Sequence, residues 1–230
     1  SSQNLQRQGT PLRDIAVLYR GNYMSRPIEE ALLRKEIPYA VYSGVAFYQR
    51  KEIKDALAYL RFLVFGDELS FLRIVNVPPR GIGKTRLALL EGRARTAGWK
   101  GALQELSSHE KFKATKAAQL LQALDEGAEY ARSHDVADTL DFLLQKSGYE
   151  EYLMLCGNQD KLDNLNELKA SLRELLDAAQ EEVSAEDYLN GISLLTSADI
   201  QDRENSVRLM TIHTAKGLEF PVVFVCCLNE

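Results

Sequence analysis

Val207-Arg208-Leu209-Met210-Thr211-Ile212-His213-Thr214-Ala215-Lys216-Gly217-Leu218-Glu219-Phe220-Pro221-Val222-Val223-Phe224-Val225 is the stretch that decides the fold. Its first part is apolar and β-prone, and its last part is an almost unbroken apolar run. Between them lies a polar loop carrying His213, Thr214, Lys216, Gly217 and Glu219. The pattern predicts a strand, a loop rich in chemistry and a fully buried strand. Strands buried on both faces belong to mainly parallel sheets covered by helices, so the fold class is α/β. In such sheets ligands collect at the carboxyl ends of strands, which makes Thr211–Phe220 the first candidate site. A plainer reading stands beside it, in which Lys216 and Glu219 are solvated and Gly217 only supplies a positive φ.

Working outward, the N-terminal region repeats the α/β pattern. Ile15–Tyr19 reads as a short buried strand ending in Arg20-Gly21-Asn22, and Ser25 with Pro27 signals a helix whose apolar face holds Ile28, Ala31, Leu32 and Leu33. Ile37–Tyr42 reads as a second strand closed by Ser43-Gly44, completing the unit from which parallel sheets are built. Phe47–Arg61 follows as an amphipathic helix with Ile53, Leu57 and Leu60 on one face. Beyond Phe65-Gly66-Asp67-Glu68 helical periodicity takes over until about Asp202. The expected organisation is therefore an α/β lobe over 1–66, an inserted helical subdomain over 67–202 and a return to the lobe over 203–230. Ala102–Arg132, Val136–Leu155 and Leu162–Ala179 read as helices of the insertion, and their leucine stripes as its core.

Within the insertion stands Pro78-Pro79-Arg80-Gly81-Ile82-Gly83-Lys84-Thr85. Gly83-Lys84-Thr85 resembles the end of a Walker A loop, but Pro78 occupies the position of the required first glycine. The glycines instead let backbone amides approach an anion at the start of a helix running from Lys84 to Ala94. Arg73, Arg80, Lys84, Arg86, Arg93, Arg95 and Lys100 surround this turn with Glu91 as the only acid, a local basic patch in an acidic chain. An ordinary glycine turn with solvated basic residues is the competing reading.

The 230 residues are 45% hydrophobic and 27% charged, enough for one sizeable core or two small ones. A net charge of -5 argues against coating of nucleic acid or anionic membranes by bulk charge, so any such contact has to be local. Cys156, Cys226 and Cys227 lack metal-ligand spacing and point to a reduced, cytoplasmic setting. No apolar run approaches the roughly 20 residues of a membrane helix, and no signal peptide is evident. Residues 1–10 read as a disordered tail, and 197–206 as a linker back to the lobe. The acidic run from Glu174 to Asp187 reads as a solvated surface. Trp99, His109 and His134 receive no role.

Thr211–Phe220 closely resembles the TxHxAKGLEF motif of the UvrD/Rep/PcrA family of superfamily-one DNA helicases, which lies in the second of their two RecA-like motor lobes. Tyr19-Arg20-Gly21-Asn22 with Ser25-Arg26 is similar to the family's YRxNxxSR pattern. Phe47–Arg61 is similar to its FYxRKEIKDxLAYLR segment, and Gly81-Ile82-Gly83 to the GIG hairpin of its inserted subdomain. Motifs at both ends and in the insertion stand in family order. The resemblance implies part of a RecA-like lobe interrupted by a mostly α-helical subdomain, from an ATP-dependent helicase that unwinds duplex DNA, 3′-to-5′, in repair or replication.

It further implies that Arg20 and Asn22 contact single-stranded DNA, with Thr211, His213 and Thr214 near that strand. Glu219 would accept a hydrogen bond from the ATP ribose, and Gly217 would allow close approach. Lys216 would face phosphate or steady the loop. Arg80, Gly81, Ile82, Gly83, Lys84 and Thr85 would meet duplex phosphates. ATP and Mg2+ are the implied cofactors of the whole enzyme, with DNA and the first RecA-like lobe as partners. No Walker A loop, DExx motif or final arginine motif occurs within these residues, so the chain alone is expected to be inactive as an ATPase. A helicase-nuclease of RecB or AddA type, and a DNA-binding or interaction module without motor activity, remain alternatives.

Overall fold

The computed structural model describes residues 10–42, 46–179, 181–198 and 205–226. Residues 1–9 of the expected tail, the Ser43-Gly44 turn, residues 199–204 of the expected linker, and Cys227 lie outside them. The chain forms two compact units. One comprises residues 1–53 and 190–230, the other residues 54–189.

The first unit is built on four parallel strands, β1 (Ile15–Tyr19), β2 (Tyr39–Val41), β3 (Val207–Thr211) and β4 (Val222–Val225), in the order β2-β3-β1-β4. β1 and β3, from opposite ends of the sequence, are central neighbours, with Val17 opposite Leu209 and Tyr19 opposite Thr211. Helix α1 (Ser25–Leu33) links β1 to β2. Its Pro27 is tolerated because the amides of a first turn have no intrahelical acceptor. The helix stops where Glu36 takes a φ of 53° and the Ile37 amide donates to the Leu32 carbonyl at 2.9 Å, a left-handed closure. Leu32, Met24 and Ile28 pack against Ile15, Val17, Tyr19, Tyr39, Val207 and Leu209 to form the core of this unit.

β4 departs from expectation. The apolar run predicted a strand buried on both faces, whereas Val223 and Val225 are each 46% exposed. β4 is the edge strand of the sheet, and only its Val222 and Phe224 side joins the core. An unbroken apolar run reports average hydrophobicity and cannot say which side of an edge strand is covered.

The second unit is helical. Helix α2 (Lys51–Phe65) begins in the first unit and continues into it, followed by α3 (Glu68–Ile74), α4 (Lys84–Ser107), α5 (Ala117–Tyr130), α6 (Val136–Lys146), α7 (Tyr149–Leu155), α8 (Gln159–Ala178) and α9 (Ala185–Ala198). α9 continues into the first unit again. Starts are capped where the sequence supplies a short polar side chain. Asp67 accepts from the Ser70 amide, Asp135 from the Asp138 amide and Asn158 from the Lys161 amide. α4 is broken at Gly98, whose φ of 70° and ψ of 167° are not helical, and beyond the break Trp99 stacks on Phe71 at 4.7 Å. The expected helix over Ala102–Arg132 is also interrupted, by a short turn at Glu110–Phe112. Lys169 fastens α8 by pairing with Asp141 at 3.2 Å and Glu150 at 3.1 Å. Among the described residues no helix is long and apolar enough to cross a membrane.

Close packing of α5 on α6 rests on Gly127, where an added Cβ would run into the Leu143 side chain. Gly127→Ala is therefore expected to destabilise the second unit by about 1–3 kcal/mol, read from the shift of the urea midpoint. Gly92→Ala serves as control: Gly92 is in α4 with open space around its Cα, and its substitution is expected to stabilise by about 0.5–1 kcal/mol.

Candidate nucleotide and nucleic-acid interfaces

All four strands of the first unit are parallel, so their carboxyl ends share one edge of the sheet. Pairing of Tyr19 with Thr211 brings the Arg20–Asn22 turn beside the Ile212–Glu219 loop, and the Ile212 amide donates to the Tyr19 carbonyl at 2.9 Å. The loop is wound tightly. Thr211 Oγ1 accepts from the Thr214 amide at 3.2 Å and lies 2.8 Å from Thr214 Oγ1, while the Ala215 amide donates to the Thr211 carbonyl at 3.0 Å. Thr211 and Thr214 thus brace each other. Gly217 has a φ of 86°, the left-handed region in which an L side chain is strained. This winding leaves His213, Lys216, Gly217 and Glu219 exposed, with Arg20 exposed on the adjoining turn. Asn22 opens the short helical turn Asn22–Met24.

Beneath that edge lies a buried polar cluster that sequence reasoning did not assign. Glu29, 4% exposed, accepts from the Phe47 amide and from the Tyr39 hydroxyl at 3.2 Å. Arg50 donates to Ser25 Oγ at 2.6 Å and lies over the Phe47 ring at 5.1 Å. Ser25, expected to start α1, points inward instead of capping it. Burial, reinforced by the nearby charge of Glu29, pushes the Tyr19 phenol up to about 12. The Phe47–Arg50 segment is thus part of the support under Tyr19 and its turn. Its only sequence signal was an Arg and aromatic residues ahead of an amphipathic helix.

In the second unit the Gly81-Ile82-Gly83 turn differs in two respects from the sequence reading. Arg80 was assigned to duplex phosphate, but its side chain is 2% exposed and turned inward. Its Nη1 donates to the carbonyls of Ile74 at 2.7 Å and Pro78 at 3.3 Å, and its Nη2 to the Tyr59 hydroxyl and the Ser147 carbonyl, both at 2.9 Å. The Ile82 side chain is also core, 1% exposed, because a β-branched residue between two glycines is the turn's only large apolar anchor. The basic patch is thinner than its composition suggested. Arg73 pairs with Asp55, Arg93 with Glu105 and Lys100 with Asp125.

What remains at the surface is Gly81, Gly83, Lys84 and Thr85, joined by Lys111 from the unexpected break between α4 and α5. Gly83, Lys84, Thr85, Arg86 and Lys111 line one open pocket. Lys84 and Lys111 have no carboxylate partner among the described residues. Arg86 braces the pocket, donating to the Gly81 carbonyl at 2.9 Å and to the Lys111 carbonyl at 2.5 Å. Gly83 caps α4 without a side chain, so the first-turn amides are not capped by one. Lys111 was missed because it lies far from the motif. The Ser107-Ser108-His109 interruption of the helical pattern was the available signal.

The family model for the UvrD-like helicase C-terminal domain matches residues 2–230. This chain belongs to the UvrD-like helicase C-terminal domain family. Among curated relatives, the ATP-dependent DNA helicase PcrA of Staphylococcus aureus strain Mu50 is 36% identical over 98% of this chain and 32% of its own length. The protein of the same name from Staphylococcus epidermidis strain RP62A is 35% identical over the same shares. The chain thus spans about a third of the length of the relatives it matches.

Glu219 is exposed on the Ile212–Glu219 loop, two residues beyond the left-handed Gly217. Among the described residues no group of three or more His, Cys, Asp or Glu is gathered that could hold a metal ion.

Two outcomes follow from this geometry. Replacing Gly217 by Ala is expected to cost about 1–2 kcal/mol in loop order, seen as faster amide exchange at Ala215 and Leu218 with the sheet unaffected. The folded state holds the Tyr19 proton more tightly than the unfolded chain, whose phenols ionise near the ordinary value of about 10. That contribution is fully present below pH 10 and lost as the pH rises towards 12, so Tyr19→Phe is expected to flatten the alkaline decline in melting temperature over this window.

Proposed function

We propose that the full-length protein is an ATP-dependent DNA helicase and that this chain supplies its second motor lobe with the inserted helical subdomain. In this reading travel is 3′-to-5′, the setting is cytoplasmic, and the activity serves repair or replication. One observation carries the proposal: the pairing of β1 with β3 sets Arg20 and the His213–Glu219 loop side by side at the carboxyl edge of one parallel sheet. Groups suited to a single strand and groups suited to a nucleotide therefore sit on the same rigid edge. A shift at one is transmitted to the other through a hydrogen-bonded strand pair.

ATP, when bound, supplies the driving reaction, transfer of its terminal phosphoryl group to water. On this chain Glu219 would receive the ribose, Gly217 would allow close approach, and Lys216 would add positive charge for phosphate or steady the loop. Arg20 and Asn22 hold the single strand, with His213 near it and Thr211 and Thr214 shaping the loop. Phosphoryl transfer depends on positioning and charge stabilisation from both sides of the nucleotide, so the first lobe of the same protein has to complete the site. The 230 residues contain no Walker A sequence and are not expected to hydrolyse ATP alone. The exposed turn of Gly81, Gly83, Lys84 and Thr85, extended by Lys111, grips duplex phosphates without reading sequence.

The test is equilibrium binding of the chain to a single-strand/duplex junction, to duplex and to single strand across a salt series. The logarithm of duplex affinity is expected to fall linearly with the logarithm of salt concentration, and Lys84→Ala and Lys111→Ala each to reduce that slope by about 0.9. Arg20→Ala is expected to weaken single-strand binding while leaving duplex binding intact. Duplex affinity indifferent to both lysines would refute the duplex reading, and single-strand affinity indifferent to Arg20 would refute the other.

A further inference from the structure

The turn that the proposed function sets against duplex DNA turns its carbonyls inward. The Arg80 carbonyl accepts from the Lys116 amide at 3.0 Å, and the Gly81 carbonyl from Arg86 Nη1 at 2.9 Å. The Ile82 carbonyl accepts from Asn76 Nδ2, and the Gly83 carbonyl from the Leu87 amide at 2.9 Å. Four successive acceptors are thus occupied from within the unit. Asn76 does more than close one of them. Its Oδ1 accepts from the Arg80 amide at 3.2 Å and from the Ile82 amide at 3.1 Å, so one side chain holds both ends of the turn. With its acceptors taken and the Arg80 and Ile82 amides held by Asn76, the turn keeps its exposed residues Gly81, Gly83, Lys84 and Thr85 for a ligand, and the Lys84 cation gives them the polarity a phosphate needs.

Arg80 fixes the same turn from below. Its guanidinium has no carboxylate partner among the described residues and is held by three carbonyls and a hydroxyl. Those acceptors come from α2, from the end of α3, from the Pro78 approach and from the α6–α7 corner. The Tyr59 hydroxyl that receives Nη2 itself donates to the Val77 carbonyl, so the residues on either side of the two prolines are tied into one network. A buried cation facing only neutral acceptors is a costly way to gain stability. It is an effective way to fix orientation, because the planar fork satisfies several acceptors in only one pose.

We infer that Asn76 and Arg80 are positioning residues for the duplex-phosphate contact: they orient the Gly81–Thr85 turn and do not touch DNA. The inference rests on the duplex reading of that turn.

The experiment pairs DNA binding with amide exchange in the chain without DNA. If Arg80 met a phosphate, Lys would replace it as a point charge. As a four-acceptor fork it cannot be so replaced. Arg80→Lys and Asn76→Ala are each expected to weaken duplex binding at least about tenfold, with single-strand binding unchanged. Global loss of structure would move both. In the free chain Asn76→Ala is expected to speed exchange at the Ile82 amide, and Arg80→Lys at Lys116. Duplex affinity preserved in Arg80→Lys, or an unchanged exchange rate at Ile82 in Asn76→Ala, overturns the inference. Should Arg80→Lys fail to fold, Asn76→Ala decides by the same two readings. Failure of the duplex reading looks different: Lys84→Ala leaves duplex affinity unchanged while exchange at Ile82 still responds to Asn76→Ala.

Discussion

The parallel pairing of β1 with β3 is the constraint on which the first unit depends. Neither strand is long, and each would leave one of its two rows of backbone donors and acceptors unpaired without the other, since β4 pairs only the far side of β1 and β2 only the far side of β3. Their pairing joins the two ends of the sequence and buries Val17, Tyr19, Val207 and Leu209 in one core. It also brings two polar loops with no local relation in sequence to adjacent positions where they leave the sheet. A one-residue slip in this register would put the core side chains on the opposite face, so burial holds the two loops in their relative places.

The second unit uses a different device for the same end. Its turn is short and glycine-rich, and such a segment has many conformations open to it. Inward capping of its carbonyls by Asn76, Arg86, Lys116 and the start of α4 selects one of them. Polarity at the surface here is made by what is hidden beneath it. In the sheet unit the buried Glu29, Arg50 and Ser25 cluster plays a comparable part under the Tyr19 turn.

Much of this was legible in the sequence. Apolar runs around Ile15–Tyr19 and Val207–Thr211, each closed by a polar loop, were enough to predict the parallel sheet. The family motifs in the sequence placed the chain among the UvrD-like helicases. What was not legible has a common cause. The inward path of the Arg80 side chain, the half-exposed β4 and the arrival of Lys111 beside Gly83 all depend on which segments meet in three dimensions. A basic residue next to a glycine turn has the same local signature whether it faces solvent or four carbonyls. Burial separates the two, and burial is a property of the whole unit.

The account's central claim is that the Arg20 turn and the Thr211–Glu219 loop act as one edge. The most direct measurement is a nuclear magnetic resonance titration of the isotopically labelled chain with a single-stranded oligonucleotide, following the backbone amides of Arg20, Thr214 and Gly217 together. The account predicts that all three shift along a single binding curve with one dissociation constant. Shifts confined to one of the two loops, or separate curves for each, would contradict it.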